Sequence, residues 1–137
     1  MSNVTPTPTR PADEAAAPVN VMNWFEVATD HPDTAAAFYA GVFGWTLQPF
    51  EIPEVDYRLA TAPGRPAPFG GITGTRPGQP AHAIFYVQVA DVADACSLIE
   101  QHGGTVLERE LAPAAGPAFA YVTDPVGSLF GIYSRAV

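Results

Sequence analysis

The chain states one structural programme twice, and that repetition limits its fold more than any other feature. Residues 22–30, MNWFEVATD, alternate as a half-buried strand does, and so does AIFYVQVAD from residue 83 onward. Each stretch is followed by a segment of helical period and then by short strand-like runs broken by Pro and Gly. The copies align at an offset of sixty residues: Trp24 falls on Ile84, Glu26 on Tyr86, Val27 on Val87 and Ala28 on Gln88. FGGI at 69–72 lands within one residue of FGIY at 130–133. The spacing predicts an α+β fold of two tandem βαβββ modules, 20–75 and 81–135, forming a cup-like curved mixed sheet with helices on its convex face. One helix for four strands covers a single sheet face, so the other must meet a partner or enclose a cavity.

Within the first module, HPDTAAAFYAGVFGW carries the signals of a helix. Pro32 suits the start, Asp33 sits where the helix dipole favours an anion, and Gly44 suits the C′ position. Phe38 with Val42, and Tyr39 with Phe43, predict an apolar stripe at i,i+4 spacing. Strands are expected near 46–52, 55–62 and 69–74. The second module offers Asp91 as N-cap, with Asp94 three residues on. Ala95, Leu98, Ile99 and His102 are expected on one helical face, closed by Gly103. Strands near 105–111, 117–123 and 128–134 finish it, and DPVG at 124–127 reads as a type I turn.

Charge narrows the function. Fourteen acidic residues against six arginines give a net charge of −8, the wrong sign for gripping nucleic acid or anionic lipid. An acidic surface solubilises, and it would also help to attract a cationic ligand. Residues 1–18 lack the apolar segment of a secretory leader and read as a disordered tail ahead of a single domain, 19–137. No apolar run approaches the roughly 18 residues of a membrane span. A single cysteine, Cys96, permits no internal disulfide, and a cytoplasmic location is the expectation.

Two motifs, TDHPDTAAAFYAGVFGW and TDPVGSLFGIY, together with the repeat, resemble the vicinal oxygen chelate superfamily, which includes glyoxalase I, bleomycin-resistance proteins and extradiol dioxygenases. The resemblance spans residues 20–135. It implies a divalent metal held by four side chains, one from the first and one from the last strand of each module. Those positions fall here on Trp24 and Ile84, and on Gly70 or Gly71 and Gly131, none of which has a metal-binding side chain. The expectation is therefore a site with no metal and no cofactor. Gly131 would then leave room for a ligand or for a large neighbour such as Trp24, or would relieve twist in a curved sheet. Small members of the superfamily commonly pair, which implies a homodimer.

If Phe25 and Val27 face the helices, Trp24 and Glu26 face the concave side, as do Ile84, Tyr86 and Gln88 of the second module. With Gly71, Phe119, Tyr121, Gly131 and Tyr133 they compose an aromatic-lined, small-molecule site. Glu26 is the most informative residue: a mid-strand carboxylate among apolar neighbours must meet a partner or bear an altered proton affinity. It is the candidate general base, with Tyr86, Tyr121 or Tyr133 as oxyanion stabilisers, or else the anion that receives a basic ligand group. Arg58 is a possible structural partner for it. His31 and His102 read as structural, Cys96 as a small buried hydrophobe, and a site joining Glu26 to His82 is an outside alternative.

Three functions stay open from the residues: a metal-independent binder of a small aromatic or partly hydrophobic molecule, a metal-independent lyase or isomerase, and a metalloenzyme with rearranged ligands.

Overall fold

The computed structural model describes residues 19–52 and 55–135. The expected disordered tail, 1–18, lies outside the described residues. Strand β1 (Val21–Thr29) leads into helix α1 (Pro32–Phe43), then β2 (Thr46–Ile52), β3 (Val55–Thr61) and β4 (Gly70–Gly74). The second copy runs β5 (His82–Gln88), α2 (Val92–Gln101), β6 (Thr105–Glu110), β7 (Ala118–Thr123) and β8 (Leu129–Ser134). All eight strands form one open mixed sheet in the order β2-β3-β4-β1-β5-β8-β7-β6.

The repeat governs the pairing. β1 runs parallel to β4 and β5 parallel to β8, while β1 and β5 meet antiparallel at the centre with Phe25 opposite Phe85. Equivalent registers recur on either side of that seam: Glu26 lies beside Gly71, and Tyr86 beside Gly131.

Local signals set the helix ends. α1 carries Pro in its first turn and stops at Gly44, whose left-handed φ of 72° suits a residue with no Cβ, with its N–H on the Ala40 carbonyl at 2.9 Å. α2 starts at Asp91, whose side chain accepts from the Asp94 N–H at 2.8 Å. In the β7–β8 turn, the Gly127 N–H bonds the Asp124 carbonyl at 3.0 Å, while the Asp124 carboxylate accepts from Val126 and Ser128.

The helices pack on one face. Beneath α2, Val89, Val92, Cys96, Ala120, Val122 and Ile132 form the second module's core, and burial pushes the Cys96 thiol pKa up. Beneath α1 the packing is aromatic: Trp45 lies 5.3 Å from Phe25, 5.1 Å from Tyr39 and 5.0 Å from Phe69 between ring centres. Gly70 is required there, because a Cβ would lie 2.0 Å from the Phe25 ring.

Both helical faces match expectation only in part: Tyr39 of α1, and Ala95 and Ile99 of α2, pack inward as expected. Phe38 and Val42 are exposed, and α1 turns Ala35 and Ala36 toward the sheet beside Tyr39 instead. In α2, Leu98 and His102 point outward while Val92 and Cys96 point inward. The buried stripe follows the i,i+4 pair set by Val92 at the helix start, which rotates the face away from Leu98.

Candidate functional site

The concave face encloses a cavity of about 950 Å³. All eight strands contribute to its walls, together with the 113–117 segment, so both modules take part. Alternation along β1 sends Trp24 and Glu26 to this side, as the sequence predicts, and it brings Tyr86, Phe119, Tyr121 and Tyr133 to the same hollow. The other four expected residues do not line it. Ile84 packs beneath the tyrosines, Gln88 is buried behind Tyr133, and Gly71 and Gly131 lie under aromatic rings.

Glu26 is the centre of the arrangement. Its side chain is 3% exposed, yet it is well provided with donors. The Tyr86 hydroxyl donates to Oε1 at 3.1 Å, the Tyr121 hydroxyl to Oε2 at 2.6 Å, and His82 Nε2 lies 2.9 Å from Oε2. Such donors replace the water that a buried carboxylate loses. Arg58 is not a partner of Glu26: it pairs with Asp33 at 2.6 Å and Asp56 at 3.0 Å, tying β3 to α1. Its strand alternation explains this, since Arg58 shares the face of Ala60, opposite to that of Tyr57 and Leu59.

The tyrosines register the anion. Burial first, and then the Glu26 charge, push the hydroxyl pKa of Tyr86 and Tyr57 well above the ordinary value of 10.0. Tyr121 is raised for the same two causes in the same order. Tyr133 is set apart: its hydroxyl donates to Asn23 Oδ1 at 2.7 Å and lies 3.2 Å from Gln88 Oε1, and burial raises its pKa.

Gly131 makes room for a large neighbour, as one of the expected readings has it, but the neighbour is not the one named. A Cβ on Gly131 would lie 2.4 Å from the Tyr86 ring, so the large neighbour is Tyr86 and not Trp24. Register explains this, because Tyr86 is directly paired with Gly131 while Trp24 is one strand farther away. A Cβ on Gly71 would lie 2.1 Å from the Tyr57 ring, whose hydroxyl accepts from Trp24 Nε1 at 3.1 Å. Tyr57 was not among the expected site residues, and the only sequence signal for it was the mid-strand glycine opposite. Arg76 was missed as well. It reaches from the β4–β5 connection to Glu108 at 2.5 Å and lies 5.3 Å from the Phe119 ring centre and 5.8 Å from that of Tyr121.

At the four positions that the resemblance implies, the residues present do not fit a metal centre. The two last-strand positions are glycines whose space is filled by tyrosine rings, and the first-strand positions carry Trp24 and Ile84. Glu26 and His82 make a pair; among the described residues no group of three or more His, Cys, Asp or Glu side chains is placed to share an ion. Among the described residues, also, no helix is long and apolar enough to cross a membrane.

A family model described as a glyoxalase-like domain matches residues 24–133. Among curated proteins, CFP32 of Mycobacterium bovis and its counterpart in Mycobacterium tuberculosis, both named as candidate glyoxylases, are 35% identical over 115 residues. That match covers 82% of this chain and 43% of theirs, so the chain spans less than half the length of these relatives. Among solved structures, methylmalonyl-CoA epimerase from M. tuberculosis aligns with a TM-score of 0.61 at 17% identity over 92% of this chain and 96% of the other. A variant of the Streptomyces coelicolor methylmalonyl-CoA epimerase in complex with 2-nitronate-propionyl-CoA aligns with a TM-score of 0.64 at 17% identity, covering 88% and 100%. At such identities the structural likeness shows the fold alone. With two βαβββ modules on one curved sheet and a family match from the first strand to the last, the chain belongs to the glyoxalase-like domain family, within the vicinal oxygen chelate superfamily.

Proposed function

We propose that this protein binds a small aromatic or partly hydrophobic molecule in the concave cavity, without the superfamily's usual metal ligands and without a cofactor. One observation carries the reading: an aromatic-walled hollow of about 950 Å³ converges on a single buried carboxylate, Glu26. Apolar walls with one specific polar focus are the usual make-up of a small-molecule site. The ligand-binding residues in this reading are Trp24, Glu26, Tyr86, Phe119, Tyr121 and Tyr133, with Gly71, Ile84, Gln88 and Gly131 supporting them from behind. We place the protein in the cytoplasm as a homodimer, with no nucleic-acid or membrane partner. Its open sheet edges, β2 and β6, and the exposed Phe38, Val42 and Leu98 support pairing. Light scattering that returned a monomer mass at micromolar concentration would contradict the dimer.

The cavity test uses Ala115→Trp, which fills the hollow from the 113–117 segment without touching Glu26. Protein-observed NMR against a panel of aromatic fragments should show shifts at Trp24 and Phe119 in the native protein and none in the variant. Equal shifts in both proteins would mean that the fragments bind elsewhere.

A second reading, a metal-independent lyase or isomerase, is favoured by the Glu26 cluster itself. A base that accepts a proton becomes a weaker acceptor, so Tyr86 and Tyr121 could turn their hydroxyls toward a developing oxyanion. Tyr133, held by Asn23 and Gln88, is less free to do so. In that reading Glu26→Gln binds substrate and loses turnover. A metal-dependent glyoxalase- or dioxygenase-like reaction remains the third reading, and elemental analysis of protein purified without a metal-affinity tag tests it.

A further inference from the structure

The hydrogen-bond inventory at the cavity floor is one-sided. An ionised carboxylate accepts only, and Glu26 draws in the protons around it: the Tyr86 and Tyr121 hydroxyls and the facing His82 nitrogen are all directed to its two oxygens. The Tyr133 hydroxyl is likewise spent, on Asn23 Oδ1. Tyr57 accepts from Trp24 and lines the hollow beside this cluster, with its own proton still available to donate. His82 has one more nitrogen, Nδ1, but that atom is buried without a partner among the described residues, and His82 does not line the cavity. Around Glu26 itself the atoms left facing the hollow are therefore oxygen lone pairs, with Tyr57 the one neighbouring hydroxyl that keeps a proton to donate. Thr73, whose hydroxyl can turn either way, does not alter that balance.

The walls agree with the floor. π-faces attract cations, and two of these rings already hold one, the Arg76 guanidinium over Phe119 and Tyr121. Two cations line the hollow, Arg76, which is paired with Glu108, and Arg135 at its rim; the carboxylates Asp56 and Glu110 line it too, and the chain carries a net charge of −8. A carboxylate or phosphate brought to Glu26 would meet like charge and the spent donors of Tyr86 and Tyr121. An ammonium would meet acceptors and aromatic faces.

We infer that the inner end of the ligand is a hydrogen-bond donor, an organic ammonium carried on an apolar or aromatic body, with Glu26 as its counter-ion. The inference rests on the small-molecule reading above, and it names the chemical class that reading leaves open.

Phenethylammonium and phenylacetate are closely matched probes of opposite charge. Titrated by calorimetry against the native protein at neutral pH, the amine should bind at least about tenfold more tightly than the acid. In Glu26→Gln the amine should fall to within about twofold of the acid. The native protein alone decides the matter if that variant does not fold. Equal or tighter binding of phenylacetate overturns the inference and leaves the cavity reading standing. Binding of neither probe overturns the cavity reading, and the inference falls with it.

Discussion

The two modules solve the same local problem with different chemistry. At equivalent register positions, module one pairs Glu26 with Gly71, and module two pairs Tyr86 with Gly131. In each, the bare glycine lets a tyrosine ring lie flat on the sheet, but the ring comes from a different strand. Tyr57 of β3 covers Gly71, whereas Tyr86 of β5 covers the glycine beside it. The consequence is a division of labour across the seam: one copy supplies an acceptor, and the other supplies donors, Tyr86, Tyr121 and His82. A repeat that had stayed identical would have placed two carboxylates there, which repel and have no donor between them, or two hydroxyls, which can share only a single neutral hydrogen bond.

The sharpest way to break this asymmetry is to remove the acceptor. Glu26→Leu should destabilise by about 3–5 kcal/mol, because it strands three buried donors at once. Tyr86→Phe on the other side removes one donor and leaves two, and should cost only about 1 kcal/mol. Urea unfolding compares the pair, and similar losses would mean that the carboxylate is no hub.

The glycines give the next largest contrast. Tyr86 borders the hollow, but its bond to Glu26 and its packing between Tyr121 and Tyr133 hold the ring, so a methyl group on Gly131 displaces it only by breaking that cluster. Gly131→Ala should therefore cost about 2–3 kcal/mol. Tyr57 borders the open cavity and can swing into it, so Gly71→Ala should cost about 1 kcal/mol despite the nominally closer approach. The reverse order would show that the Tyr57 ring, and not Tyr86, is the rigid one.

Alkaline pH reads the same cluster without a mutation. Tyr57, Tyr86 and Tyr121 have folded-state pKa values raised above the ordinary 10.0, with burial as the first cause and Glu26 as the second. A raised pKa means that the folded state holds the proton more tightly than the unfolded chain does. Their contribution is thus fully present below about pH 10 and is lost as pH rises beyond it, at roughly 1.4 kcal/mol per pH unit for each tyrosine. Tyr121→Phe should make that decline shallower. An unchanged slope would remove Tyr121 from the titrating set.

These effects also mark what could be read from the amino-acid order. The repeat, the change from period two to helical period, and the turn and cap residues were sufficient for the fold, because each is a local signal reinforced by its copy sixty residues away. Alternation alone brought Trp24, Glu26, Tyr86, Tyr121 and Tyr133 to one face. Tyr57 and Arg76 were hidden because their roles depend on the β3–β4 register and on a crossing between modules, neither of which leaves a periodic trace. The helical faces were read only in part for a related reason: with apolar residues all round α1, period does not say which stripe meets the sheet, and the small Ala35 and Ala36 join Tyr39 there by allowing close approach.

The smallest contrast lies at the helix starts and is the cleanest test of local independence. α2 begins at Asp91 in extended backbone, with its carboxylate on the Asp94 N–H, whereas α1 begins at His31, whose side chain makes no capping bond. α1 relies instead on Pro32, which has no N–H to satisfy and a φ already close to helical. Asp91→Ala should therefore cost about 1 kcal/mol, and His31→Ala only a few tenths. Both sites are exposed and neither lines the hollow, so neither change should alter binding of any ligand there. Equal costs at the two sites would mean that the cap in α2 contributes nothing beyond what tertiary packing already supplies, and that the modules differ only where they face each other.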